Sequence, residues 1–498
     1  MEPKNLLKLQ NGSDIRGIAC EGVEGESVNL TPLAANLIAQ SFASWLSKKT
    51  GKTVESLTVG IGRDSRITGE SLAQACIQAL VSCGAKVVDC SLATTPAMFM
   101  SIVFPETHFD GSIMITASHL PFNRNGLKFF DKDGGLEHED ITAILEGAAS
   151  LSEKSAEAKA GNFDLISTYA THLVKTIRAG IKGESKEKPL TGLKIVVDAG
   201  NGAGGFFVSK ILDELGADTT GSQFLEPDGM FPNHIPNPEN PVAMEAIQAA
   251  VLKNKADLGL IFDTDVDRMS AVLPDGTEVN RDAIIALVAA ILAPEYPNST
   301  IITDSVTSDR LTRFLEKELG LKHHCFKRGY KNVINECKRL NSEGIVSPLA
   351  METSGHGALK DNFYLDDGAF LAVKIIIALA NAKAQGKNLA SLIEKLEGLV
   401  EAEEVRFKIT AEDFSAYGDK VLQEFKARAE KAGYTLPKSY EGVRISFNDE
   451  EKHGWLLLRK SLHDPVMPLN IEGERKGDAE KIRAVALDLL QGFSELSR

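Results

Sequence analysis

Three acidic residues at alternate positions are the sharpest chemical feature of the sequence. Asp263, Asp265 and Asp267 follow the apolar run Leu258–Phe262, which is typical of a buried strand. In an extended segment, residues at alternate positions point to the same side, so we expect the three carboxylates to converge where the strand ends. Three like charges at one place are costly unless a cation neutralises them, and oxygen ligands favour Mg²⁺, Mn²⁺ or Ca²⁺.

Other interpretations of this acidic motif fit less well. An EF-hand loop requires Gly at its sixth position and Glu at its twelfth, where this chain has Arg268 and Pro274. The phosphatase signature D-x-D-x-T/V is excluded because Asp267 occupies its fifth position. A solvated acidic turn is the remaining alternative, and the apolar run directly before the motif disfavours it.

A serine followed by a histidine marks a second candidate for chemistry. Ser118 and His119 follow the apolar run Gly111–Ile115, and Lys128 lies further along the same segment. A serine beside a base and a cation is a pattern that suits a nucleophile with proton-transfer help. The alternative is a loop serine that satisfies its own turn.

Two further motifs carry hydrogen-bonding groups in short polar loops. The segment Glu352–His356 places acceptors and donors around a glycine, as recognition of sugar hydroxyls requires. The segment Arg459–Pro465 combines an arginine with a serine hydroxyl, which suits a phosphate. Either segment, taken alone, is also compatible with a plain surface turn.

Two patterns are predicted to have no cofactor role. Gly200–Gly205 follows an apolar run and formally fits the dinucleotide fingerprint. The nearby acid, Asp218, does not end a clear second strand, so we interpret the glycines as a tight strand-to-helix turn. His323 and His324 lack a third ligand and are interpreted as structural rather than metal-binding.

The composition restricts the partners of this 498-residue chain. Its net charge of −14 disfavours nucleic acid and anionic lipid, so an anionic substrate requires a local positive pocket. The longest apolar run, Ala283–Ala293, is shorter than the about 20 residues that cross a bilayer, and residues 1–16 do not resemble a signal peptide. The six cysteines include no C-x-x-C pair, which indicates a reducing compartment. We therefore predict a cytoplasmic protein without membrane partners.

The elements that must position these residues follow a repeated pattern. Apolar runs at Leu57–Ile61, Leu193–Val197 and Thr300–Thr303 each lead through a polar loop into an amphipathic helix and a second strand. From Val405 the pattern changes to strand, helix, two strands and a final helix. The sequence predicts an α/β fold of three tandem related mixed-sheet domains followed by a smaller α+β domain. The predicted domains are residues 1–160, 161–278, 279–400 and 401–498.

Taken together, these motifs resemble the α-D-phosphohexomutase family of phosphoglucomutases and phosphomannomutases. Residues 14–17 and 62–66 are similar to the family's D-I-R-G and G-R-D-x-R motifs. Residues 116–121 and 263–268 resemble its phosphoserine loop T-A-S-H-N-P and metal loop D-G-D-x-D-R. The sugar loop G-E-x-S-G-H and the phosphate loop R-x-S-G-T-E-P follow in the same order. The likeness covers nearly the whole chain.

The resemblance implies four domains around a central cleft and an intramolecular phosphotransferase. Phospho-Ser118 would exchange its phosphoryl group with glucose or mannose phosphates, interconverting the 1- and 6-phosphates through a hexose 1,6-bisphosphate, which also serves as activator. It implies Mg²⁺ at Ser118, Asp263, Asp265 and Asp267. The implied catalytic residues are Ser118, His119, Lys128, Arg16 and Arg268, with the choice of proton-transfer group between His119 and Lys128 left open. The implied substrate-binding residues are Lys327, Glu352, Ser354, His356, Arg459, Ser461 and His463.

Departures from the family pattern keep two alternatives open. Leu120 replaces Asn in the phosphoserine loop, Met351 replaces Gly in the sugar loop, and residues 462–464 replace Gly-Thr-Glu in the phosphate loop. The last change removes a flexible glycine and a hydroxyl donor, and His463 is a candidate to donate in its place. The alternatives are a phosphoglucosamine mutase and a sugar-phosphate-binding member without catalysis. Ser118 and the three aspartates argue against the second, because binding alone requires neither.

Overall fold

The computed structural model describes residues 3–156, 159–183, 187–461 and 464–497. The chain divides into two compact units. The first contains residues 1–291 and 354–392, and the second contains residues 292–353 and 393–498. Within the described residues, no helix combines the length and the hydropathy needed to cross a bilayer.

The first α/β segment of the first unit is a mixed sheet covered by helices. The strand Thr58–Arg63 lies between two parallel neighbours, Lys86–Leu92 and Gly111–Ile115. The strands of this segment are Gln10–Asn11, Asp14–Ile18, Thr58–Arg63, Lys86–Leu92, Gly111–Ile115, Arg124–Asp131, Gly134–Gly135 and Gly161–Asn162. Its α-helices are Pro32–Thr50, Gly69–Ser82, Thr95–Val103, His138–Ala148 and Leu165–Gly180, and its 3₁₀ turns are Pro3–Leu9 and Val54–Ser56.

One antiparallel pair in this sheet positions the predicted serine loop. The strand Gly111–Ile115 is buried along its whole length, as its apolar sequence predicts. The strand Arg124–Asp131 returns antiparallel to it and places Lys128 opposite Met114. Residues 116–123 connect the two strands, so Ser118 and Lys128 lie near the same end of the sheet.

The second α/β segment is smaller and contains the acidic motif. Leu258–Phe262 pairs parallel with Ile195–Asp198 and antiparallel with Met269–Val272, with Phe262 opposite Met269. Asp263–Arg268 is therefore the loop of a β-hairpin. The remaining elements are the strand Glu278–Val279, the α-helices Pro241–Asn254 and Asp282–Leu292, and the π-helical stretch Val208–Leu212.

The first unit is completed by residues 354–392. They form the antiparallel strands Gly357–Leu359 and Leu365–Asp366, the helix Gly368–Lys383, and the 3₁₀ turns Lys360–Asn362 and Leu389–Leu392. The helix Gly368–Lys383 packs against the helix Leu165–Gly180. The buried Tyr169 hydroxyl lies on the helix Leu165–Gly180 and donates to the Asp367 carboxylate. The same carboxylate caps the start of the helix Gly368–Lys383.

The second unit combines a parallel α/β layer with an antiparallel sheet. Thr300–Thr303 pairs parallel with Lys322–Cys325 and with Leu349–Met351. The helices beside these strands are Asp309–Arg313, which continues as the π-helical stretch Phe314–Glu318, and Tyr330–Ser342. The antiparallel sheet contains Glu401–Ile409, Val443–Asn448, His453–Leu458, Val466–Gly473 and Leu496–Ser497, and the helices Phe414–Lys431 and Asp478–Leu489 accompany it.

The predicted fold class, three α/β segments followed by an α+β domain, is confirmed, whereas the domain boundaries stay a prediction. The prediction of two strands between the helices of the last domain is wrong, because Val466–Gly473 is a third strand there and pairs with both His453–Leu458 and Glu401–Ile409. Pro468 and the polar residues Asn470 and Glu472 interrupt its apolar pattern. Proline is normally absent from the middle of a sheet, so the sequence of this segment gives a weak strand signal.

Candidate active site

The acidic hairpin loop brings its three carboxylates together in the interior of the first unit. Asp263, Asp265 and Asp267 are at most 1% exposed, and each offers an oxygen within 4.8 Å of those of the other two. The expectation of an extended segment is wrong, because the chain turns here and Val266 has a φ of 65°. A β-branched residue rarely adopts this left-handed conformation. The carboxylates therefore converge through a strained turn rather than through strand alternation.

Neighbouring elements hold this loop in place. The Thr95 hydroxyl donates to Asp265 Oδ2 at 2.5 Å, and the Thr95 amide donates to the Asp265 carbonyl oxygen at 2.9 Å. On the other side, the Ala203 amide donates to the Thr264 carbonyl oxygen at 2.8 Å. A Cβ at Gly202 would lie 2.6 Å from that oxygen. The glycine-rich segment is thus a tight turn whose glycine allows close contact with the acidic loop.

Ser118 lies directly beside the acidic loop, although 145 residues separate it from Asp263. Its hydroxyl donates to Asp263 Oδ2 at 2.9 Å and accepts from an Nη of Arg268 at 3.2 Å. Its backbone has a φ of 50°, and its amide donates to the Thr116 hydroxyl at 2.8 Å. Residues in this sparsely populated conformation concentrate at functional sites.

Arg66 positions the serine loop, and sequence reasoning did not include it among the site residues. Its guanidinium is buried and donates to four backbone carbonyl oxygens, those of Ser118 at 2.5 Å, Leu120 at 2.6 Å, Pro121 at 2.8 Å and Arg124 at 3.0 Å. The signal was present, since Arg66 ends the G-R-D-x-R motif. A planar fork of donors suits several acceptors at once.

Two buried cations accompany the three carboxylates. Lys128 Nζ lies 2.5 Å from Asp267 Oδ2 and 3.4 Å from Asp265 Oδ2, and Arg268 Nε lies 3.0 Å from Asp263 Oδ2. Burial alone would lower the pKa of Lys128, but Asp267 and Asp265 hold it well above its usual range. Burial would also raise the pKa of Asp267, but Lys128 and, to a smaller extent, His356 hold that pKa well below its usual range. Burial and the other two carboxylates raise the pKa of Asp263.

The acidic loop can hold a metal ion. Asp265 Oδ1 and Asp267 Oδ1 are buried and have no hydrogen-bond partner within the described residues. Buried carboxylate oxygens normally find a partner, and the raised pKa of Asp263 reflects its burial and the repulsion among the three carboxylates. Oxygen donors of this kind suit a hard divalent cation, so the residues present fit the predicted metal.

His119 and Arg16 flank the serine. His119 Nδ1 lies 3.5 Å from the Ser118 hydroxyl. The charge of Arg268, then burial and the charge of Arg16, lower the pKa of His119 well below its usual range, so the ring is neutral at pH 7. Arg16 donates to the Thr116 carbonyl oxygen at 3.0 Å and to Asp14 at 2.9 Å, which fastens the start of the serine loop.

Part of the predicted sugar loop also lies at the acidic loop. Ser354 Oγ and His356 Nδ1 are 2.9 Å apart, and His356 Nε2 lies 3.6 Å from Asp267 Oδ1. Arg268 and His356 form an isolated β-bridge. Within the first unit, the structure therefore brings together the predicted residues Arg16, Ser118, His119, Lys128, Asp263, Asp265, Asp267, Arg268, Ser354 and His356.

The other predicted substrate-binding residues belong to the second unit. Arg459 is 9% exposed, and its guanidinium lies 3.9 Å from Glu441. Glu352 accepts from the Gly329 amide at 2.6 Å. Ser461 accepts from the Asp464 amide at 3.3 Å, and Lys327 is exposed. His463, predicted as a substitute donor, lies outside the described residues.

Comparison of the chain with models of known protein families identifies its family. The models of phosphoglucomutase/phosphomannomutase alpha/beta/alpha domains I, II and III match residues 7–155, 167–276 and 280–398. The chain belongs to the phosphoglucomutase/phosphomannomutase family. The family predicted from the motifs is thus confirmed.

Members of this family resemble the chain over nearly its whole length. A Thermococcus kodakarensis protein named phosphoglucomutase/phosphomannomutase is 30% identical over 498 residues, covering 97% of this chain and 98% of its own. A Pseudomonas syringae phosphomannomutase/phosphoglucomutase is 30% identical over 480 residues, covering 95% and 92%. A crystal structure of a family protein from Burkholderia thailandensis is 26% identical, has a TM-score of 0.78 and covers 97% and 96%. The similarity therefore includes the C-terminal domain, which follows the three matched family domains.

Proposed function

We propose that the chain interconverts hexose 1-phosphates and hexose 6-phosphates of glucose or mannose through a phosphorylated Ser118. The observation that carries this proposal is the contact of the Ser118 hydroxyl with both Asp263 and Arg268. A nucleophilic oxygen there lies beside the candidate metal ligands and a guanidinium. Phosphoryl transfer depends mainly on such positioning and on charge stabilisation. The names of the relatives support the same activity.

In this mechanism the phosphoryl group moves from Ser118 Oγ to a hydroxyl oxygen of the sugar phosphate. The Oγ–P bond breaks and a new O–P bond forms, which yields a hexose 1,6-bisphosphate. The second phosphoryl group then returns to Ser118 after the intermediate has turned round. Arg268 is placed to stabilise charge on Ser118 Oγ, because its Nη lies 3.2 Å from that oxygen. Arg66 keeps the serine loop in the required conformation.

Mg²⁺ is the metal that we assign to Asp263, Asp265 and Asp267, with an oxygen of phospho-Ser118 as a further ligand. When bound, the ion supplies Lewis-acid stabilisation of the negative charge on the phosphoryl oxygens. The buried carboxylate oxygens without partners support this assignment. Phosphorylation adds about −1.5 to −2 charge to a serine, which strengthens the need for a cation here.

His119 is the group that we assign to proton transfer. The attacking sugar hydroxyl must lose its proton, and Ser118 must regain one when it leaves as a hydroxyl. The His119 ring lies beside Ser118 Oγ, whereas the Lys128 ammonium is engaged by two carboxylates. Geometry therefore favours His119 over Lys128, a choice that the sequence leaves open.

Substrate recognition completes the proposal. We assign sugar hydroxyls to Glu352, Ser354 and His356, and the phosphate that is not being transferred to Arg459 and Ser461. Hexose 1,6-bisphosphate is the proposed activator, because it can phosphorylate Ser118 directly. We also propose a cytoplasmic location, supported by six cysteines that are all free of disulfides.

The decisive experiment is a turnover assay with an intact-mass measurement. The protein is incubated with Mg²⁺, a trace of glucose 1,6-bisphosphate and glucose, mannose or glucosamine 1-phosphate, and the 6-phosphate is followed. We expect turnover of glucose or mannose phosphate and one phosphoryl group per chain, both abolished in Ser118→Ala. Ser342→Ala, an exposed serine of the second unit, serves as the control. Phosphate binding without turnover of any hexose phosphate would reject the proposal.

A further inference from the structure

Two arginines of the second unit lie near one another's carboxylate partners, because Glu441 contacts both the Arg459 guanidinium and the Arg328 backbone. The Arg459 guanidinium is 3.9 Å from Glu441 Oε1, and the Arg328 amide donates to Glu441 Oε2 at 3.0 Å. Arg328 Nε lies 4.0 Å from Asp304 Oδ2. Burial, followed by the charge of Arg328, lowers the pKa of Arg459, as expected for two guanidinium groups in one neighbourhood.

The carboxylates in this cluster are already engaged by neighbouring donors. Asp304 accepts from the Thr353 hydroxyl at 3.0 Å and from the Thr353 amide at 3.4 Å. Glu441 accepts from the Ser305 hydroxyl at 2.6 Å. The two guanidinium–carboxylate separations in this cluster, Arg328 to Asp304 and Arg459 to Glu441, are 4.0 Å and 3.9 Å. The carboxylates therefore help to fix the positions of both arginines.

Arg459 retains an unused hydrogen-bond donor. Its Nε is buried and has no partner within the described part of the chain, although the residue is only 9% exposed. A buried guanidinium N–H without an acceptor is costly, so an anion that accepts from it would be favoured. Arg328 is about one-third exposed, so its side chain can reach an incoming ligand.

The altered phosphate loop creates a need for a second donor group. Residues 462–464 lack the glycine and the hydroxyl donor of the family's R-x-S-G-T-E-P pattern. A phosphate monoester carries up to two negative charges and offers several acceptor oxygens. An arginine supplies a charged planar fork that suits these oxygens, and it does so without a glycine-rich backbone.

We propose that Arg328 acts with Arg459 as a second phosphate-binding arginine, replacing donors that the phosphate loop of this chain lacks. The proposal rests on the proposed function, because the ligand is the phosphate of the hexose phosphate that is not being transferred. Arg328 thereby sets the affinity for substrate rather than the rate of phosphoryl transfer. A hexose without a phosphate gains nothing from this pair.

The test compares Arg328→Gln with Arg459→Gln and with the control Arg339→Gln, an exposed arginine paired with Glu336 and Glu343. Glutamine at position 328 keeps the backbone bond to Glu441. Calorimetry with glucose 1-phosphate and with inorganic phosphate, without divalent ions, measures binding independently of turnover. We expect about tenfold weaker binding of glucose 1-phosphate for Arg328→Gln, a loss typical of one charge-assisted hydrogen bond, and no change for the control.

Steady-state kinetics and a conservative variant separate binding from folding. Arg328→Gln should raise KM about tenfold with kcat changed less than twofold, and Arg328→Lys should restore part of the loss because it keeps the charge without the fork. Wild-type affinity in Arg328→Gln, with weakened binding in Arg459→Gln, would overturn the proposal. If the protein shows no turnover but its phosphate binding still depends on Arg328, the binding site is supported and only the proposed mutase activity is contradicted.

Discussion

At the residue scale, the candidate site is governed by a balance of buried charges. Three carboxylates of the acidic loop face Lys128 and Arg268, all of them nearly inaccessible to solvent. Charges taken out of water are tolerated only when they are paired. A bound metal ion would reduce the repulsion among the three carboxylates. Each member of the cluster is consequently sensitive to substitution.

Replacing Asp265 with Asn should lower kcat at least about 100-fold, because loss of an outer-shell partner alone costs a metal site about 10- to 100-fold. The amide removes one negative charge and leaves Lys128 with a weaker partner. Activity measured against Mg²⁺ concentration should also show half-saturation at a higher concentration. Asp275→Asn, in an exposed turn, is the control. Unchanged activity at the wild-type Mg²⁺ requirement would reject the metal assignment.

Replacing Arg66 with Met should destabilise the serine loop. Four carbonyl oxygens lose a charged donor, and one unsatisfied buried group costs ~1–3 kcal/mol. Urea denaturation should therefore show a free energy of unfolding lower by about 2–4 kcal/mol, together with reduced phosphorylation of Ser118. Arg63→Met is the matched control, because its nearest carboxylate, Glu70, lies 3.8 Å away at the surface. Equal losses in both variants would contradict the role of Arg66.

At the element scale, the sequence predicts strands better than loops. The runs Gly111–Ile115 and Leu258–Phe262 are mostly apolar, and both are buried strands as predicted. The conformation of the acidic loop was not predictable, because a positive φ at Val266 contradicts the preference of a β-branched residue. Contacts from distant segments, such as Thr95, help to hold that turn. The meeting of Ser118 with Asp263 was expected from the resemblance and not from local pattern.

The glycine turn beside the acidic loop allows a direct test of this support. In Gly202→Ala the added Cβ would contact the Thr264 backbone at about 2.6 Å, and backbone atoms there have little freedom to move. We expect a shifted acidic loop, a higher Mg²⁺ requirement and a free energy of unfolding lower by about 1–3 kcal/mol. Gly398→Ala, where a Cβ meets nothing within 4 Å, should behave as wild type. A Gly202→Ala variant with normal Mg²⁺ dependence would contradict this role of the turn.

At the scale of the whole molecule, the chain is acidic, but several basic side chains lie at the positions where a phosphorylated substrate is expected to bind. The net charge is −14, yet Arg16, Lys128 and Arg268 gather around Ser118, and Arg328 and Arg459 gather in the second unit. The sequence required a local positive pocket for an anionic substrate. It did not identify Arg328, because that residue follows no recognisable motif and its neighbours Glu441 and Asp304 are distant in sequence.

Segments far apart in the chain also meet at the buried Asp367, whose protonation should affect the stability of the fold. The Asp367 carboxylate accepts from the hydroxyl of Tyr169, 198 residues away, at 2.5 Å, from Asn362 at 2.9 Å and from the Phe370 amide at 2.8 Å. Burial raises its pKa to about 6 in spite of these bonds. Its usual value is 3.8, so the folded state binds a proton more readily than the unfolded state.

The sign of the effect follows from this difference. Because the folded pKa is the higher one, the Asp367 contribution to stability increases as pH falls below about 6, and is complete below the unfolded pKa. Between pH 7.5 and 5 this residue alone should add about 1.4 kcal/mol to the free energy of unfolding. Asp367→Asn keeps a side chain that can cap the helix but cannot titrate, so the difference between wild type and variant should change with pH by this amount. Asp164→Asn, a matched helix cap whose hydrogen bonds with Ser167 lower its pKa, should show no such change in this range. Parallel pH profiles for wild type and Asp367→Asn would mean that Asp367 is ionised in the folded protein throughout.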